Sequence, residues 1–211
     1  MDGKKHFNTG STVSECDIDR AAAVLGKGGL VAFPTESWYG LAVDPFNPEA
    51  LDRLFFIKQR PLDKPILVLV SGIGQLDSLV RNIPPLYHIL MEKFWPGPLT
   101  LVFSGQPDLP QQLTAGTATV AVRCSSNPVA SALVERFGRP ITATSANISG
   151  SGAFTTAKGV AAGLRHGVDM ILDGGRTPGG RGSTLVTCRG ERLLCLREGQ
   201  IPFSAVQAAA E

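Results

Sequence analysis

The chain has 211 residues, 43% hydrophobic, 18% charged and 7% aromatic, an ordinary globular composition in which one compact unit over residues 1–211, with a core at about 14–200, is preferred to two small domains. A chain this long can bury roughly 70% of its unfolded surface, so a core forms without metal or disulfide staples. Lys plus Arg is 20 against 18 for Asp plus Glu; a formal charge of +2 is too small to announce a nucleic-acid coat or a membrane-surface patch, and any anion-binding role must be local.

Twenty-four glycines and fifteen prolines cut the chain into short elements that alternate between helical and extended patterns, which argues an α/β fold. Asp17 is placed to cap a helix ending near Leu25, which Gly28 and Gly29 stop. The apolar run Leu30 to Phe33 reads as a buried strand ended by Pro34. Asn47-Pro48 starts a helix whose Leu51, Leu54, Phe55 and Lys58 share a stripe, and Pro65 to Val70 is a strand. Leu86, Leu90 and Phe94, with Ile89 beside them, define a helix from Pro84 to the W-P-G-P loop at Trp95. Strands follow at Leu99–Phe103, Thr119–Arg123 and Ile141–Ser145, with a helix from Asn127 to Phe137 between the last two. The pattern predicts a helix over Thr156–Leu164, a strand at Met170–Leu172 and a hairpin joining Ser183–Thr187 to Arg192–Arg197 around Arg189 and Gly190.

Several chemistries are absent. The first twenty residues hold no apolar signal core and no window reaches the length needed to span a bilayer, so a cytoplasmic protein without membrane partners is expected. Cys16, Cys124, Cys188 and Cys195 form no C-x-x-C pair and are read as buried thiols, and no metal ligand set is offered. His6, His88 and His166 are isolated, which weakens any Ser-His or Cys-His nucleophile. Neither a dinucleotide loop, nor G-x-x-x-x-G-K, nor G-x-S-x-G occurs.

What remains is a set of polar clusters where strands and helices end. P-T-E-S-W-Y-G-L (34–41) offers the Thr35 and Ser37 hydroxyls, with Gly40 letting the backbone turn; a purely structural turn explains it as well. K-Q-R-P (58–61) places two cations at a helix C-terminus, where they also suit the helix dipole. Arg123 ends an apolar strand and must leave the core or find an anion. T-S-A-N-I-S-G (144–150) and the glycine-rich stretch 174–184, with Arg176 and Arg181, lead to L-R-E-G (196–199). A triphosphate carries about four negative charges, and one cation contributes only about 4 kcal/mol of attraction at an effective dielectric near 20, so several cations must converge. Lys58, Arg60, Arg123, Arg181 and Arg197 are the candidates, from element ends where open sheets place ligand crevices.

In this order, and with W-P-G-P-L-T (95–100) and S-T-L (183–185), these segments resemble the YrdC family of threonylcarbamoyl-AMP synthases over about four fifths of the chain. The resemblance implies a twisted mixed sheet with flanking helices around a large concave cavity. It also implies a reaction joining L-threonine, bicarbonate and ATP into threonylcarbamoyl-AMP and pyrophosphate, with Mg²⁺ on the phosphates, for threonylcarbamoylation of tRNA. Carried over by motif, Thr35, Arg123 and Ser183 would hold threonine; Lys58 and Arg60 would act on the triphosphate as catalytic cations; Thr119, Ser145, Asn147 and Arg197 would contact the nucleotide. tRNA or the transferase that uses the product would be the partner. Three positions depart from the pattern: Leu67–Val70 lacks a threonine-contacting histidine, Ser125 replaces the proline of V-R-x-P, and Trp38 replaces a small aliphatic residue. Competing readings are a double-stranded RNA, tRNA or ribosome-associated binding module of the same fold, and a paralogue without synthase activity; basic residues interleaved with aromatics, which RNA binding would favour, are lacking.

Overall fold

The computed structural model describes residues 13–164, 167–190 and 192–210. His6 and His166 lie outside the described residues. The chain runs α1 (Glu15–Gly26), β1 (Val31–Pro34), β2 (Tyr39–Ala42), α2 (Pro48–Lys58), β3 (Leu67–Val70), α3 (Pro85–Phe94), β4 (Leu99–Ser104), α4 (Gln111–Thr114), β5 (Thr119–Cys124) and α5 (Pro128–Phe137). It continues through β6 (Ile141–Thr142), β7 (Thr144–Ser145), α6 (Ala157–Leu164), β8 (Met170–Ile171), β9 (Thr184–Arg189), β10 (Arg192–Arg197) and α7 (Phe203–Ala210).

The α/β class holds, with the strands divided between two sheets, ordered β7-β2-β1-β8 and β10-β9-β4-β5-β3-β6. Both are mixed: β1 pairs parallel with β8, β3 with β5 and β4 with β9, while the other pairings are antiparallel. The segment read as one strand, Ile141–Ser145, serves both sheets, since Ile141 and Thr142 pair with β3 and Thr144 and Ser145 pair with β2. Thr142 secures the seam, its Oγ1 accepting the Val43 N–H at 2.9 Å.

Local chemistry explains most boundaries. Asn47 caps α2 by accepting the Ala50 N–H at 3.1 Å, and the buried face is Ala50, Leu51, Leu54, Phe55 and Lys58, as the stripe predicts. Asn127 caps α5, which closes on left-handed Gly138 at φ 73°. Three expectations are corrected. Ser14, not Asp17, caps α1; Asp17 sits three residues on and returns a bond to the Ser14 N–H, completing a capping box. The buried face of α3 is Tyr87, Leu90 and Met91, which leaves Ile89 exposed, because the Tyr87 ring packs edge-on against Phe103 at 4.9 Å. Gly40 is not at a turn: it lies inside β2, opposite Phe33.

Two apolar clusters form. The larger lies among α2, α3 and both sheets, and the smaller sits between α1, α5 and β1. An unanticipated helix, α7, packs on α3 and buries Val206. Of the four cysteines only Cys124 is buried; Cys16 is exposed and Cys188 and Cys195 are half-buried, and His88 is exposed on α3. Among the described residues no helix is long and apolar enough to cross a membrane.

Candidate functional site

A cavity of about 290 Å³ opens between the two sheets. Side chains alternate along a strand, so Ala121 and Arg123 of β5, Leu67 of β3 and Leu185 of β9 turn to the same side and form its floor. The other wall is the turn 35–38 with Tyr39 and Gly40 of β2, and Thr144 and Ser145 of β7. Arg60 and Arg197 close two further edges.

The turn at Thr35 is held by its own hydroxyl, which donates to the Trp38 carbonyl at 2.7 Å and accepts the Ser37 N–H at 3.2 Å. Across the cavity, Ser183 is buried, its hydroxyl 2.7 Å from that of Thr100, and its carbonyl accepts Arg197 Nε and Nη2 at 3.3 and 2.9 Å. Arg60 donates to the carbonyls of Lys64 and Pro65 at 3.2 and 2.8 Å, and burial lowers its pKa. Arg123 is 5% exposed and meets the anion that its position demands: Nη1 pairs with Glu36. Burial, with Arg197 next in effect, brings Arg123 down to about 10, so it remains a cation at neutral pH. Its Nε has no hydrogen-bond partner among the described residues.

Thr35, Arg60, Arg123, Ser145, Ser183 and Arg197 are therefore brought together as the sequence predicts. Four candidates are not. Lys58 is 1% exposed and lies behind the wall, its ammonium donating to the Ser145 carbonyl and, at 2.9 and 3.2 Å, to the carbonyl and Oδ1 of Asn147. Burial, then the Arg60 charge, pushes it down to about 7. Asn147 is also spent locally: Oδ1 accepts the Ser145 hydroxyl at 2.6 Å and Nδ2 donates to the Ser151 carbonyl at 2.5 Å. Lys58 and Asn147 thus fix the loop that presents Ser145 rather than line the cavity. Thr119 lies on the Arg123 face of β5 but one position of that face beyond Ala121, about 7 Å farther out on the open sheet, its hydroxyl 2.8 Å from that of Thr117. Arg181, with a side chain 74% exposed, sits 4.0 Å from Glu198 and lines no part of the cavity.

Sequence reasoning missed Glu36 and Tyr39, and marked Trp38 only as a departure from the family pattern. Glu36 had a readable signal, since a buried strand arginine requires an acid and Glu36 stands inside the most distinctive cluster. Tyr39 donates to the Gly175 carbonyl at 2.8 Å, tying the glycine-rich segment to the wall; burial, then Asp173, pushes its hydroxyl up to about 12. The Trp38 indole lies under the same segment, 3.4 Å from where a Cβ on Gly182 would fall. A wider hollow of about 650 Å³ beyond Arg60 is walled by Phe55, Phe56, Leu62 and Leu164; it shares Arg60 but none of the hydroxyls above.

A two-sheet α/β fold with guanidinium groups and hydroxyls facing one hollow has the chemistry that suits small anionic ligands. The chain belongs to the Sua5/YciO/YrdC family, whose model, described as "Telomere recombination", matches residues 23–199. It is 38% identical over 201 residues to the threonylcarbamoyl-AMP synthase of Pyrococcus abyssi, covering 95% of this chain and 59% of that protein. Against the threonylcarbamoyl-AMP synthase of Vibrio cholerae it is 35% identical over 187 residues, 87% of this chain and 97% of the other. The crystal structure of P. abyssi Sua5 complexed with L-threonine superposes with a TM-score of 0.89 at 38% identity, over 93% of this chain and 58% of that one. The chain thus spans just under three fifths of the length of the archaeal relative and nearly all of the bacterial one.

Proposed function

We propose that the chain is a threonylcarbamoyl-AMP synthase, a nucleotidyltransferase that consumes L-threonine, bicarbonate and ATP and releases threonylcarbamoyl-AMP, pyrophosphate and water. The observation that carries this reading is a buried arginine whose Nε has no hydrogen-bond partner among the described residues, set in a hydroxyl-lined cavity with two further guanidinium groups. The shared family, the synthases named among its relatives and the threonine-bound P. abyssi structure support it.

In this reading Arg123 grips the threonine carboxylate while Thr35 and Ser183 accept its ammonium group. Carbon dioxide, from bicarbonate, adds to the threonine amine once its ammonium group has given one proton to water; a second proton goes to water as the carbamate forms, and the new carbamate oxygen attacks the α-phosphorus as the bond to pyrophosphate breaks. The cavity contributes position and charge stabilisation rather than a proton carrier, which fits a lining of cations and hydroxyls. Arg60 and Arg197 face the phosphates. At about 290 Å³ the hollow is small for both substrates, so the nucleoside extends onto the open sheet face where Thr119 lies. Lys58 and Asn147 act by holding Ser145. Mg²⁺ would arrive with ATP and would neutralise charge on the phosphates; the residues lining the cavity include no carboxylate to hold the ion themselves. tRNA, through a transferase, is the destination of the product, and the cytoplasm the compartment.

Purified protein incubated with ATP, bicarbonate and Mg²⁺, with and without threonine, tests the proposal. Threonine-dependent release of pyrophosphate together with the adenylate is expected; pyrophosphate that ignores threonine, or none at all, rejects it.

A further inference from the structure

The site holds one carboxylate of its own. Glu36 stands between Thr35 and Ser37, both facing the cavity, yet its side chain is only 12% exposed and turns inward to Arg123. Its second oxygen, Oε2, accepts the Ser125 hydroxyl at 2.5 Å. Ser125 is 2% exposed, and the same hydroxyl accepts the Asn127 N–H at 3.2 Å. Asn127 in turn caps α5, with Oδ1 accepting the Val129 and Ala130 N–H groups at 3.0 and 3.3 Å. The carboxylate is therefore tied, bond by bond, to the first turn of a helix. The V-R-x-P pattern puts proline at position 125, which has no hydroxyl; here Ser125 adds a restraint that the pattern lacks.

We propose that Glu36, fixed by Ser125, is a positioning residue that holds one nitrogen of Arg123 and so turns the Nε side of the guanidinium toward the carboxylate of the amino-acid substrate. The inference rests on the reading of Arg123 as the threonine-carboxylate ligand. A guanidinium offers five donors in a rigid fork, and fixing one side of the fork fixes the other. With Nη1 engaged by Glu36, Nε is left as a buried donor without a partner among the described residues, a state that an incoming carboxylate relieves. The charge count points the same way: Arg123 paired with Glu36 is nearly neutral, which suits one carboxylate, whereas a triphosphate needs the uncancelled charges of Arg60 and Arg197 at the edges.

The test compares wild type, E36Q, E36D and S125A by pyrophosphate release, with separate KM values for threonine and ATP, and by calorimetric titration with L-threonine alone. E36Q is expected to raise the threonine KM at least tenfold while moving the ATP KM less than twofold, with E36D recovering part of the loss. S125A is expected to raise the threonine KM about threefold. A folded E36Q whose threonine affinity is unchanged, or whose two KM values rise together, overturns the proposal. If E36Q does not fold, S125A decides: no selective rise in the threonine KM overturns it. Wild type that binds threonine without forming product rejects the synthase reading alone, and the titrations of the variants then decide the role of Glu36; wild type that binds no threonine overturns both.

Discussion

The two ends of the cavity hold their arginines by opposite means. At the inner end Arg123 is paired with an acid; at the edges Arg60 and Arg197 are held by main-chain carbonyls of Lys64, Pro65 and Ser183. A carboxylate orients a guanidinium and cancels its charge, whereas a carbonyl orients it and leaves the charge intact. One fold therefore makes a nearly neutral, directional socket suited to a single carboxylate and, a few residues away, a rim of full charges suited to a polyanion.

The harshest way to break this comparison is to remove the cation that stands behind it. Lys58→Met strips a buried donor from the Ser145 and Asn147 carbonyls and should cost about 3 kcal/mol of stability in urea unfolding. Its pH signature is specific. Lys58 titrates at about 7 in the folded chain and near 10.5 when unfolded, so between these values the unfolded chain binds more protons. The Lys58 contribution to stability therefore grows as pH rises from 7 toward 10.5. The stability gap between wild type and Lys58→Met should widen from pH 7 to pH 9; a constant gap would contradict the assignment.

Next in size is a crossed pair. Arg123→Ala should weaken threonine use and Arg60→Ala nucleotide use, each by about 1.5–3 kcal/mol, the worth of a charge-assisted hydrogen bond. Initial rates with each substrate varied in turn measure both, and two variants that respond alike would erase the distinction between the ends. Tyr39→Phe, which frees the Gly175 carbonyl, should lower stability by about 1 kcal/mol in thermal unfolding. The smallest effect is expected for Arg181→Ala: exposed and outside the hollow, it should leave both KM values within about twofold. A tenfold loss there would mean that the glycine-rich segment brings Arg181 inward during turnover.

Elements with a cap and a long apolar stripe were legible from sequence: α2 shows Asn47-Pro48 at its start and its buried face in the spacing. β2 was not: all four of its residues are buried, so no alternation marks it, and Tyr39 and Gly40 break the continuous apolar run that made β1 readable. β7 was read only as the end of one strand with β6, without its change of sheet. The division into two sheets depends on pairings between residues about a hundred positions apart, such as Leu41 with Thr144, which no local pattern encodes. In the site, Thr35 and Arg123 were readable because a turn and a strand end aim them, while Ser183 came from the family resemblance. Lys58 and Asn147 were misplaced because sequence brings a side chain near a site without saying which way a loop's carbonyls turn, and those carbonyls claim the lysine.

The seam at Ala143 has a mechanical outcome. Five consecutive residues stitch the two sheets edge to edge, so the hollow resembles a book glued along its spine, and its leaves have little freedom to swing apart. The strap of glycines from 174 to 182, pinned at Tyr39 and resting on Trp38, belongs to no strand or helix, so breathing that admits a guest costs least there.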